Sequence, residues 1–126
     1  MNNKKVAYYT NPYKKTTTAV ITGCQLDAIN TFNEKIASCV NSSLRIGSKY
    51  DERFIMPYQM YATVTCRDGD EYNEEEGRRR ALKKLSEKYN RSLYKRLINI
   101  YNYLTKILIK ESEFLDRRVP FWVENN

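Results

Sequence analysis

Between residues 54 and 67 the chain alternates most sharply between apolar and polar positions. After Pro57, which suits the start of a strand, Tyr58, Met60, Ala62, Val64 and Cys66 alternate with Gln59, Tyr61, Thr63, Thr65 and Arg67. A period of two predicts a strand with one buried and one polar face, and the polar face still carries Tyr61. Residues 5–10 and 16–22 are rich in Val, Ile, Thr and Tyr, which suit a pleated surface. The turn-like Asn11-Pro12-Tyr13-Lys14 between them predicts a β-hairpin.

Elsewhere the spacing changes to three and four. Leu26, Ile29, Phe32, Ile36 and Val40 predict a helix over residues 25–41, ended by Asn41-Ser42-Ser43 and followed by a polar loop over 43–53. After the turn Asp68-Gly69-Asp70, Glu74, Glu75 and Glu76 place negative charge where a helix start favours it. A helical pattern then runs towards Arg118, as one long helix or as two with a break near Asn90-Arg91-Ser92. Leu82, Leu85, Tyr89, Leu93, Leu97, Ile100, Leu104 and Ile107 hold its apolar face. From Leu93 the steps are four, three, four and three, which serve the domain's own core, a homodimer seam or the docking of a partner helix. Phe121-Trp122-Val123, after Pro120, forms an apolar tag that would clasp the core or anchor in a partner.

These elements predict an α+β fold: a small antiparallel sheet of about three strands, one packed helix, and a long or broken C-terminal helix. A length of 126 residues fits one domain, 1–126, with a basic helical half over 73–118. No stretch approaches the ~18 apolar residues of a membrane span. The start Met1-Asn2-Asn3-Lys4-Lys5-Val6 leads into no apolar segment, so the expectation is a cytoplasmic protein that is not exported. Cys24, Cys39 and Cys66 are widely spaced among apolar neighbours and read as reduced structural thiols.

Charge changes the picture more than composition does. Histidine is absent, which removes the commonest general base and metal ligand. No cofactor, metal or catalytic residue is expected. Residues 77–110 carry eleven Lys or Arg and a single acid, Glu87, a net +10 in a chain whose total is +7. Such a run points to a polyanionic partner or an acidic protein surface.

At about 100° per residue, Arg80, Lys84, Lys88, Arg91 and Lys95 fall within roughly 80° of arc, nearly opposite the leucine face. Cations spaced along a rigid rod can meet successive phosphates and release their counterions. Tyr94 and Tyr101 are placed to stack on bases or on a protein surface. The competing interpretation is a solvated face, since Lys and Arg are good helix formers. The scarcity of acids around the row argues against a salt-bridged one.

The acidic turn, with Asp68, Asp70, Glu71, Glu74, Glu75 and Glu76, does not have EF-hand spacing. Its role as a helix start accounts for it. A small metal-dependent nuclease built on these carboxylates is the enzymatic alternative.

Residues 56–81 carry a resemblance. The strand ending Ala62-Thr63-Val64-Thr65-Cys66, the turn Asp68-Gly69-Asp70-Glu71-Tyr72-Asn73, and Glu74-Glu75-Glu76-Gly77 opening a helix that contains Ala81 resemble small proteins encoded by phages and prophages of Gram-positive bacteria. Thr16-Thr17-Thr18-Ala19-Val20 followed by Asp27-Ala28-Ile29-Asn30 is similar to the same group. Small phage proteins of this size and charge include inhibitors of host defence, anti-CRISPR proteins among them. The resemblance implies a binder that blocks a host protein or nucleoprotein complex, such as a CRISPR effector, as a monomer or homodimer and without a membrane. A phage accessory protein that binds RNA or DNA is the nearest alternative. No site residue is carried over from the group.

Overall fold

The structure is a computed structural model, and it describes residues 4–37, 51–67, 69 and 71–118, with side chains to 113. Strands β1 (Ala7–Asn11), β2 (Thr16–Thr22) and β3 (Gln59–Thr65) form an antiparallel sheet in the order β1-β2-β3. Helix α1 (Asp27–Thr31) continues into a π-helical segment, Phe32–Ala37. Helix α2 (Glu74–Arg118) is continuous for 45 residues, about 68 Å at 1.5 Å per residue. The α+β expectation holds.

The β1–β2 hairpin closes through Asn11, whose Oδ1 accepts from the amides of Tyr13 (3.1 Å) and Lys14 (3.2 Å). Register pairs Tyr8 with Ala19 and Ala19 with Ala62, so the even positions of β1 and β3 share a face with the odd positions of β2. Ala19, Ile21, Met60 and Ala62 on that face are buried against Ala81, Leu85 and Tyr89 of α2, with Cys24 and Ala28 completing the cluster. A second cluster joins Ile29, Phe32, Ala37 and Phe54 to Ile100. Leu93 packs on the first cluster, and Leu97 and Leu104 on the second. The heptad over 93–104 therefore serves the domain's own core, while Ile107 stands exposed.

Two expectations need correction. The strand predicted over 54–67 covers only Gln59–Thr65. Phe54 closes a turn, its amide donating to Asp51 O (3.0 Å), and Met56 N donates to Gln25 O (3.1 Å), so both bury their side chains outside the sheet. Tyr58, assigned to the buried strand face, is exposed because it precedes the first strand pair.

The predicted helix stripe also loses its phase. Wider π winding carries Asn33 and Ala37 inward and leaves Ile36 43% exposed. Of the two readings left open for the C-terminal half, the single long helix holds: no break interrupts α2 near Asn90-Arg91-Ser92. There Arg96 donates to Ser92 Oγ (3.1 Å) and to Ile55 O (3.2 Å), tying the helix to the segment before β3. Val40, Cys39 and the tag Phe121-Trp122-Val123 lie outside the described residues.

Helix α2 begins with Asn73 as its cap, Oδ1 accepting from Glu76 N (3.2 Å). Three residues into the helix, Gly77 passes close over β2. A Cβ there would overlap Thr17 Oγ1 and lie 3.2 Å from Thr17 Cβ. Thr17 is buried and shares a 3.0 Å hydrogen bond with Tyr72 Oη, so it is not free to yield. Gly77→Ala should gain about 1 kcal/mol of helix propensity and lose more, about 1–3 kcal/mol, to overpacking. Urea melts should show net destabilisation; a more stable variant would mean that the helix start can lift off the sheet.

Buried Tyr89 ties α2 to α1. Its hydroxyl donates to Asp27 Oδ2 (2.7 Å), and Lys4 Nζ lies 3.2 Å from Asp27 Oδ1 while donating to Gly23 O (2.7 Å). Burial, reinforced by the hydrogen bond to Asp27, holds the Tyr89 phenol above its ordinary value of 10.0. Burial also raises the Cys24 thiol. A folded-state value above the unfolded one favours the protonated form in the fold. The resulting stability is complete below the ordinary value and is lost as pH rises past it. Denaturant melts should show stability falling above about pH 9, where the Cys24 contribution begins to be lost, and further above about pH 10, where that of Tyr89 does. Tyr89→Phe should make that alkaline decline shallower and cost about 1–3 kcal/mol at neutral pH. An unchanged alkaline slope in the variant would remove Tyr89 from this role.

Candidate binding face

Arg80, Lys84, Lys88, Arg91 and Lys95 are all exposed on one side of α2. Opposite them, Ala81, Leu85 and Tyr89 hold that helix to the sheet. Among the described residues none of the five pairs with a carboxylate. The four ion pairs formed there are Lys4–Asp27, Arg53–Asp51, Arg78–Glu74 and Arg79–Glu76. Arg78 and Arg79, beside the row, are thus engaged locally, and Arg78 also lies 5.5 Å from the Tyr8 ring centre.

Two of the five have structural work as well. Among the described residues strand β3 pairs only with β2, and no described strand lines its other edge. Lys84 Nζ donates to Thr63 O and Lys88 Nζ to Tyr61 O, each at 3.0 Å. Residues two apart point the same way in a strand, so both lysines meet carbonyls on the open edge and deter pairing with another strand there. Lys88 Nζ also lies 4.9 Å from the Tyr61 ring centre. Lys84 and Lys88 thus serve the fold in part, while Arg80, Arg91 and Lys95 are exposed with no hydrogen-bond or ion-pair partner among the described residues, an arrangement that fits a solvated face as well as a binding one.

Two shallow grooves run between the β3 edge and this basic row. One, about 360 Å³, is lined by Val64, Arg79, Arg80, Lys83, Lys84 and Glu87. The other, about 240 Å³, is lined by Tyr61, Ala62, Thr63, Lys84, Lys88 and Arg91. The structure thus brings Arg80, Lys84, Lys88 and Arg91 together along β3, whereas Lys95 lines neither groove. Tyr94 and Tyr101 are 69% and 68% exposed. With exposed Ile98 and Leu108 they form an apolar stripe in the adjoining sector of α2, spaced four, three and seven. Along the outer surface of the helix the cationic row spans residues 80–95 and the apolar stripe residues 94–108.

Sequence patterning alone does not reveal that the row borders a sheet edge. Tyr61, on the polar side of the alternating strand, was the available signal.

The acidic turn contributes differently. Glu74 and Glu76 engage Arg78 and Arg79, and Arg79 holds the Glu76 carboxyl below its usual range. Asp68 and Asp70 lie outside the described residues. Among the described residues no cluster of three His, Cys, Asp or Glu is set to hold a metal ion, and no helix is long and apolar enough to cross a membrane.

No family model matches the chain, and no curated protein or solved structure matches it.

Proposed function

We propose that this protein is a small basic binding protein of phage type that inhibits a host defence nucleoprotein complex. It acts by covering a nucleic-acid-binding or protein-binding surface and performs no chemistry of its own. The observation that carries this reading is the row of exposed cations on α2 with no carboxylate partner among the described residues. A salt-bridged face would be neutralised internally; this one leaves its charge for a partner.

The apolar stripe supports a partner that includes protein. Phosphates satisfy cations, but they give Tyr94, Ile98 and Tyr101 nothing to bury against. Exposed aromatic side chains near a charged patch are the usual anchors of protein interfaces. A nucleoprotein surface supplies both chemistries within the length of one helix. A nucleic-acid-binding accessory protein, the nearest alternative, would use the cations and stack bases on Tyr94 and Tyr101, but would leave Ile98 and Leu108 idle.

The test is competition. A reconstituted CRISPR effector is titrated with the protein while its binding to target DNA is followed. The expected result is saturable loss of DNA binding with RNA and DNA left intact. Undiminished DNA binding at saturating protein would overturn the proposal for that effector.

A further inference from the structure

The sheet has a second face, and helix α2 covers only one. On the other face, which no described element covers, the register sets Tyr9, Thr18 and Thr63 in one row across the strands and Ala7, Val20 and Tyr61 in the next. Tyr9 is 63% exposed and Tyr61 55%. Thr18 and Thr63 share a 2.8 Å hydrogen bond between them, which stiffens the floor. No acidic residue occupies an outward position of any of the three strands.

Two tyrosines on outer strands, one row apart, stand about 12 Å apart at their Cα atoms by ordinary strand spacing. They offer two separate ring surfaces over a flat threonine and valine floor. The cations adjoin this face at the β3 edge. Lys88 reaches that edge beside Tyr61, Lys84 lies one step along, and Arg91 lines the same groove.

We infer that the open sheet face is a stacking platform for single-stranded nucleic acid. Bases lie on Tyr9 and Tyr61 while the backbone follows the β3 edge past Lys84, Lys88 and Arg91. Aromatic rings take unpaired bases because every base has a π face, and neighbouring cations hold the phosphates. Duplex hides its base faces and could meet only the cations. The inference rests on the binding reading above and deepens it, by naming exposed single strand as the nucleic-acid component that the protein touches.

The experiment is fluorescence anisotropy with three probes: a labelled short oligothymidylate, an oligouridylate, and a DNA duplex of equal length. The variants are Tyr9→Thr/Tyr61→Thr, chosen because Thr suits strands, and Tyr9→Phe/Tyr61→Phe, which keeps both rings. Wild type should prefer the single strands to duplex. The Thr variant should lose roughly 10- to 100-fold in single-strand affinity with its salt dependence unchanged, and the Phe variant should bind as wild type. Single-strand binding equal in the Thr variant and wild type would overturn the platform while leaving the basic row standing. If wild type bound none of the probes at low salt, the platform would fail, and the effector competition assay would then decide separately whether the inhibitor reading survives.

Discussion

Phe54→Ala should destabilise the fold by about 3–5 kcal/mol, against the 5–15 kcal/mol that holds a domain of this kind together. Phe54 is 1% exposed, and it joins the second cluster, with Ile29, Phe32 and Ala37 beneath and Ile100 of α2 above. Its ring meets Tyr103 edge-on, centres 5.4 Å apart, and the Arg53 guanidinium lies 5.0 Å from its own centre. Truncation removes the ring that fills the space between the α1 segment and α2, and the backbone around it is held by the Asp51 turn and by Asn99 donating to Arg53 O (2.8 Å). Collapse into the cavity is thereby limited. A urea melt should show the midpoint falling steeply; a loss below about 1 kcal/mol would mean that the second cluster adds little to the fold.

The second large effect concerns binding. Arg80→Glu/Lys84→Glu/Arg91→Glu changes the charge of the basic face by six while touching few internal contacts. Arg80 and Arg91 have no hydrogen-bond or ion-pair partner among the described residues, and Lys84 loses one exposed bond to Thr63 O. Stability should therefore change by about 1 kcal/mol or less. Affinity for an anionic partner should fall by orders of magnitude, since each lost contact removes one attraction and adds one repulsion. Glu substitution at Lys5, before β1, and at Lys14, in the β1–β2 turn, both exposed, changes the charge by four and should weaken binding far less.

Much of the fold was legible in the residues. Val, Thr and Tyr on either side of Asn11-Pro12 specify the hairpin, and the alternation from Met60 to Val64 specifies the central part of β3. The leucine spacing from Leu85 to Leu104 shows which side of α2 packs. What was not legible depends on tertiary contacts. The apolar run at Phe54 and Met56 looks like strand, yet Pro57 follows and the segment is held by Gln25 O and Arg96 instead of a neighbouring strand. Ile36 fits an α-helical stripe, and only the π winding turns it outward.

The basic face divides in the same way. Arg80, Lys84, Lys88, Arg91 and Lys95 follow from a 100° wheel alone. That Lys84 and Lys88 reach the open edge of β3 depends on how the helix is laid on the sheet, and no local pattern states it. Tyr9 was hidden for the same reason. Its outward direction follows from pairing with Thr18, and its company with Tyr61 from a strand far along the chain. Tyr94 and Tyr101 were visible as neighbours of the row, but their alignment with Ile98 and Leu108 into a stripe gained meaning only once the core was seen to take Leu93, Leu97, Ile100 and Leu104 instead.

The central claim is that the basic face of α2 is a binding surface for a polyanionic partner. Its most direct test is a salt titration of binding to a reconstituted CRISPR effector, to bare RNA and to bare duplex DNA. Wild type is compared with Arg80→Glu/Lys84→Glu/Arg91→Glu. The account predicts tight binding to the effector, weaker binding to the bare nucleic acids, and log affinity that falls with log salt. The slope should shrink by about one unit for each phosphate-contacting residue removed. Equal affinity and equal slope for wild type and the triple variant, on every partner that binds, would contradict it.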